Sequence, residues 1–358
     1  MSALHEILTP AATLTAPPSA PPAPAPQELL LGVGLAYIAP AALNVAVKLR
    51  IPDLLGAGAK DVATLAAQSG SDAAFLFRIL RTLECVGIFT RTDSLTFALT
   101  PAGLLLRSDV DDSMADAIEW LTDPLHYEIY GTLRHSVENG VIAFDALYKE
   151  PFFHWLARPE NREESAVFNN AMTAISGMCT PAILEAYDFG AFTRMVDVGG
   201  GHGALLRSIL KAHPQLSGTV ADMENVIADT RAAIAVDGLE SRCDAAVCNF
   251  FEAVPLGGDG YILKHIIHDW EDSAAITILR NIRKVIPSHG RVLLAECVLD
   301  NGAAPHPGKM LDLEMMAFVG GKERTEAEFA ELFAQAGFQL RRVIPTRSPV
   351  ALLEAVPV

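Results

Sequence analysis

The chain has 358 residues, of which 51% are hydrophobic and 20% charged, so global disorder is excluded and the length predicts two domains rather than one core. A net charge of -16 argues against nucleic acid as a partner, because phosphate backbones are held by basic surfaces that release counterions. Five scattered cysteines (Cys85, Cys179, Cys243, Cys248, Cys297) lack C-x-x-C spacing and read as buried small side chains in a reducing compartment.

Residues 1–26 end in an Ala/Pro tract with no Lys or Arg. The tract is expected to stay extended outside the fold, and with no recognisable leader a cytoplasmic location is expected. Leu29 to Val47 carries no charge and raises the question of a membrane span. Pro40 and Asn44 interrupt it and Lys48 and Arg50 end it, so a buried helix in a helical domain, or a dimer seam, is preferred.

Within residues 27–108 the rhythm is that of a winged helix: helices at Asp61–Ser69 and Asp72–Val86, then a hairpin at Ile88–Thr92 and Thr96–Leu99. Asp61 and Ser71 or Asp72 are natural N-caps, and Gly70 and Gly87 stop the helices before them. The second helix sets only Arg78 and Arg81 against Asp72 and Glu84, too little positive charge for a DNA groove, so dimerisation is the expected role. Residues 109–186 read as helices rich in aromatic and Met residues, mostly core, with a minority forming one wall of a ligand pocket.

From residue 187 to 358 short apolar runs alternate with helices: Arg194–Val198, Gly218–Asp222, Asp244–Val247, Gly260–Lys264, Arg291–Glu296, Phe338–Ile344 and Val350–Ala355. This predicts an α/β domain with a doubly wound sheet whose last strand pairs antiparallel with its predecessor. The first strand runs into Asp197-Val198-Gly199-Gly200-Gly201-His202-Gly203, and Asp222 closes the second strand. A glycine turn admits a ligand to the backbone, and an acid at the next strand end accepts ribose hydroxyls, so a nucleoside cofactor is expected. Gly199, Gly201 and Ala204 also satisfy the dinucleotide fingerprint, so an NAD oxidoreductase is the rival. Asp197 favours another nucleoside, since its carboxylate would face a pyrophosphate at a cost of about 4 kcal/mol, and the oxidoreductase stays as the alternative from another class. S-adenosylmethionine offers an ammonium and a sulfonium instead.

Leu263-Lys264-His265-Ile266-Ile267-His268-Asp269-Trp270 begins at the carboxyl end of the fourth strand, where ligands of open sheets bind. Glu296 in Ala295-Glu296-Cys297 and Glu323 in Gly320-Gly321-Lys322-Glu323-Arg324-Thr325 are expected to converge on His268, and carboxylates there would hold a general base.

These motifs together resemble the plant caffeic acid and flavonoid O-methyltransferases and their bacterial relatives that tailor polyketides and other secondary metabolites. The resemblance covers the chain after the Pro-rich tail. It implies a Rossmann-like class I methyltransferase domain behind an all-helical, winged-helix dimerisation domain. It further implies a homodimer, a small hydroxylated acceptor, S-adenosylmethionine as methyl donor and no metal. Residue by residue, His268 resembles the base, with Glu296, Glu323 and the adjacent Asp269 about it. Asp197, Gly199, Gly201, Asp222, Met223, Asn249, Phe250 and Lys264 resemble donor contacts. Asn249 stands where the family carries an adenine-binding Asp, so it can accept at its carbonyl but brings no charge. Phe168 and Met172 resemble acceptor-clamping residues, and Met315, Met316 and Phe318 the opposite wall. A relative that keeps the donor but hydroxylates or performs pericyclic chemistry is the alternative within the family, and the intact His268, Glu296 and Glu323 set favours methylation.

Overall fold

The computed structural model describes residues 24–56 and 58–358. Most of the Ala/Pro tract expected to stay outside the fold, residues 1–23, lies outside the described residues. The expectation of one buried helix over Leu29–Val47 needs correction. Two helices, Pro26–Leu35 and Ile38–Lys48, replace it. Pro40 explains the break: it lacks an N–H and its ring would meet the carbonyl of Ala36, four residues back. The first helix has no buried residue, and Leu30, Leu31 and Val33 are each more than 60% exposed. Taken together, Pro26–Lys48 has the length and apolar composition of a membrane span, which core helices of soluble proteins and signal sequences share.

The winged unit follows the capping logic. Asp61 accepts from the Thr64 amide at 2.9 Å and starts Val62–Ser69; Asp72 accepts from Ala74 and Phe75 and starts Ala73–Cys85. Phe89–Arg91 and Thr96–Leu99 pair antiparallel, and Lys60–Asp61 adds a short third strand. Ile51, Leu65, Leu80, Leu83, Phe89 and Phe97 fill the core between them.

Behind this unit six helices end in the long Arg162–Ala186. Their apolar faces meet in an aromatic cluster around Trp120, Phe144 and Phe152. Helix Gly308–Phe318, from the C-terminal domain, inserts Ala317 and Phe318 into the same cluster.

The C-terminal sheet contains β1 (Arg194–Val198), β2 (Ser217–Asp222), β3 (Cys243–Val247), β4 (Gly260–Lys264), β5 (Arg291–Leu299), β6 (Phe338–Pro345) and β7 (Val350–Pro357). Their order is β6-β7-β5-β4-β1-β2-β3, with β7 antiparallel to both neighbours. This is the class I methyltransferase arrangement that the sequence predicts. One boundary differs: β5 does not end at Glu296 but continues to Leu299, because Val298 and Leu299 pair in parallel with Arg324 and Thr325. That short ladder draws Glu323 alongside Glu296.

Candidate functional site

Parallel register sets the geometry at the carboxyl edge of the sheet. Asp197 lies opposite Val220 on one side and Ile262 on the other, while Lys264 lies opposite Ala295. The side chains of Asp197, Asp222, Lys264 and Glu296 therefore belong to adjacent strand ends. Gly199 has a φ of +71° and a Cβ there would stand 2.5 Å from Ile266, so the loop after β1 has no room for a side chain on that face. The amide of Gly201 donates to Asp222 at 2.6 Å, and the Met223 amide donates to the other oxygen at 2.7 Å. Asp222 is thus held against the glycine loop before any ligand contact.

Asp197 is 2% exposed, and its Oδ2 has no hydrogen-bond partner. Burial raises its pKa to about 7, with Asp222 adding to the rise and Lys264 opposing it. A buried carboxyl with one unpartnered oxygen at the glycine loop fits a cationic ligand group, as the ammonium or sulfonium of S-adenosylmethionine would be. Burial lowers the pKa of Lys264, opposed mainly by Asp197. Phe250 lies beside Gly199 and 6.0 Å from the Trp270 ring. Met223 and Asn249 are exposed, and Asn249 is engaged locally: its amide bonds Glu252 and its carbonyl accepts from the Phe251 amide.

The second constellation is built on the turn Ile267–Asp269 that follows β4. Glu296, fully buried, accepts from the amides of Ile266 at 3.1 Å and Ile267 at 2.9 Å through Oε1. Its Oε2 stands 3.7 Å from His268 Nδ1, which bonds Glu323 Oε1 at 2.7 Å. On the other side of the ring, Asp269 lies 3.4 Å from Nε2. Burial disfavours the imidazolium, but Glu296, Asp269 and Glu323 outweigh it and carry His268 to about 10. Burial lifts Asp269 to about 7.

Two residues of this centre carry roles that sequence reasoning missed. Arg324, fully buried, donates to the carbonyls of Ile267 at 3.0 Å and Trp270 at 2.7 Å and pairs with Asp272 at 2.8 Å, so it pins the turn carrying His268 from outside. The basic letter inside GGKERT was visible, but nothing local distinguishes a buried Arg from a surface one. His265 adopts φ +54° and sets its ring centroid 5.0 Å from that of His268, with Nε2 buried and unpartnered. Gly321 completes the packing: a Cβ there would lie 1.9 Å from the His268 carbonyl.

The expected acceptor walls meet at shared rings. Phe168 packs edge-on against Trp120 at 5.3 Å and Phe152 at 5.5 Å, and Phe318 touches the same two. Met172 and Met316 are half-buried and Met315 is buried, whereas Phe318, only 2% exposed, is a core residue of the aromatic cluster.

Comparison with known proteins agrees with this architecture. Residues 130–339 match the family model of the O-methyltransferase domain, and residues 32–109 that of the O-methyltransferase dimerisation domain. The phenazine O-methyltransferase PhzM of Lysobacter antibioticus is 39% identical over 93% of this chain and 96% of its own length. The O-demethylpuromycin-O-methyltransferase of Streptomyces alboniger is 35% identical over 93% of this chain and 89% of its own. The crystal structure of LaPhzM superposes with a TM-score of 0.89 at 38% identity, covering 93% of this chain and 99% of that one. With both models in register and identity of this extent along nearly the whole chain, the protein belongs to the O-methyltransferase family, as an enzyme with a dimerisation domain in front of its transferase domain.

Proposed function

We propose that the protein methylates a phenolic or enolic hydroxyl of a small, largely apolar secondary metabolite, with S-adenosylmethionine as donor and His268 as general base. The observation that carries this reading is the clamping of His268 by Glu323 and Glu296 at the carboxyl edge of the sheet that also carries Asp197, whose Oδ2 has no partner. The donor supplies an electrophilic methyl group on a sulfonium. The chain's residues do the rest: Asp222 takes the ribose, Asp197 faces positive charge, and His268 accepts the hydroxyl proton as the oxygen attacks.

A base whose pKa is about 10 is already protonated at neutral pH, so its basicity depends on what is bound beside it. A second positive charge about 6 Å away, with the acceptor oxygen and the methyl between, costs about 3 kcal/mol at an effective dielectric of about 20, equivalent to about two pK units. That brings the ring to half-neutrality at about pH 8. Titration of His268 by nitrogen-15 NMR is expected to move down by about two units on adding S-adenosylmethionine, and an unmoved titration refutes the mechanism.

Asp197 makes donor binding pH-dependent. Its raised pKa means that it is neutral below about 7 and charged above, and a cation prefers the charged form. Calorimetry is expected to show donor affinity falling up to about tenfold per pH unit below 7, with the slope lost in Asp197→Asn. Asp222→Ala is expected to weaken donor binding by about 1.5–3 kcal/mol through its lost ribose bonds.

The unburied helix Pro26–Leu35 and the dimerisation-domain match support a homodimer through the N-terminal domain, since such apolar surface is covered in stable proteins. Light scattering is expected to give twice the chain mass at micromolar concentration, and a monomer would refute it. Five free cysteines support a cytoplasmic, reducing location. A curated relative 35% identical is an 8-amino-8-demethylriboflavin N,N-dimethyltransferase, which makes an aromatic amine the second acceptor class. A neutral arylamine needs no deprotonation before attack, so its methylation would survive loss of His268 far better than that of a phenol.

A further inference from the structure

We propose that His265, His268 and Glu296 form a binding site for one borderline-soft divalent cation of the zinc type, which captures the imidazole of His268 and blocks methyl transfer. One donor atom from each of these three residues lies within 4.8 Å of the other two. His265 Nε2 and Glu296 Oε2 are both buried without a hydrogen-bond partner, as is Glu323 Oε2 beside them. Such atoms are costly unless something satisfies them.

The donor set decides the kind of ion. Two imidazoles and one carboxylate make the three-protein-ligand set of open zinc sites, whereas magnesium and calcium select oxygen. Tetrahedral zinc needs ligand atoms roughly 3.3–3.5 Å apart, so the observed spread closes by small side-chain rotations. Glu323 and Asp269 add negative charge around the set, 2.7 Å and 3.4 Å from the two nitrogens of His268, and Lys264 is the opposing charge. The ion would have no part in the reaction. It would act from the Nδ1 side, displacing the Glu323 bond and withdrawing charge from the ring so that Nε2 loses the basicity needed to accept the acceptor's proton, and in that respect the inference rests on the function proposed above.

The test uses the full chain after chelator dialysis. Equilibrium dialysis with zinc chloride should give one ion per chain, and cobalt(II) should give the visible absorption of a tetrahedral N/O site. X-ray absorption of the zinc adduct should show two imidazoles and no sulfur. His265→Gln should weaken zinc binding, and shift the inhibitory zinc concentration relative to its own metal-free rate, by at least about 10–100-fold. Absent stoichiometric binding, a sulfur ligand, or undiminished affinity in His265→Gln would each overturn the site. Should His265→Gln fail to fold, the absorption spectrum of the unaltered protein still decides. Because dialysis and spectra need no turnover, a protein that binds zinc in this way but methylates no phenol refutes the proposed function and leaves the site standing. Full activity at saturating zinc overturns the blocking role.

Discussion

His268→Ala is expected to lower turnover on a phenolic acceptor by about 10²–10⁴-fold, the range for a lost general base, while S-adenosylmethionine binds more tightly at neutral pH because its sulfonium no longer faces an imidazolium. The ring sits on the turn after β4, held by Glu323 at 2.7 Å, while the proposed donor-binding residues lie on β1, β2 and the glycine loop. Chemistry and binding should therefore separate. The loss should be largest where the phenol, with a pKa near 10, is protonated, and should shrink as pH approaches that value and the acceptor ionises unaided. A variant that methylates at the parent rate from pH 6 to 10 would show that another group is the base. Single-turnover kinetics against pH, with calorimetry of donor binding, makes the measurement.

Arg324→Met should be the most damaging change outside the reacting groups. The guanidinium is completely buried and bonds two carbonyls, Ile267 and Trp270, that bracket His268. Charge-assisted bonds contribute roughly 1.5–3 kcal/mol each, so a stability loss of about 3 kcal/mol is expected from chemical denaturation. Asp272, its ion-pair partner, is about half exposed and adds little. A merely structural role would leave the pH profile of the surviving fraction alone. Because Arg324 holds the turn that presents His268 to Glu296 and Glu323, turnover should fall while the KM for the donor holds, and the pH profile should shift with the loosened carboxylates. Arg324→Lys restores charge but not the planar fork, so it should recover part of the stability and little of the turnover. Unchanged kinetics in either folded variant would remove Arg324 from the positioning of His268.

Much of this protein can be read locally. The N-caps Asp61 and Asp72, the hairpin between Phe89 and Leu99, the alternation of apolar runs and helices after residue 192, and the glycine loop with Asp222 all follow from periodicity and turn chemistry within a few residues. Those signals decide secondary structure and, through the handedness and register of parallel strands, which strand ends lie together. The pairing of His268 with Glu296 was open to the same reasoning because both lie at the ends of neighbouring parallel strand runs, whereas Glu323 sits between the helix Gly308–Phe318 and the short strand Arg324–Thr325.

What lay beyond sequence depends on surfaces that meet only after folding. The exposure of Pro26–Leu35 depends on whether another surface covers it, which hydrophobicity alone does not encode. The extension of β5 past Glu296 needs a partner, Arg324–Thr325, from distant sequence. The burial of Arg324 and the absorption of Phe318 into the aromatic core likewise arise from contacts 50 or more residues apart, and the unpartnered nitrogen of His265, a near neighbour of His268 in sequence, is left so by the burial that folding imposes. Sequence by itself determined the elements, the donor loop and the identity of the imidazole with its Glu296 partner, because those are set by local backbone preference and strand order. Tertiary structure alone decided the charge state of His268 and which polar atoms are left unsatisfied around it. Desolvation and Coulombic coupling exist only once the groups share a dry interior.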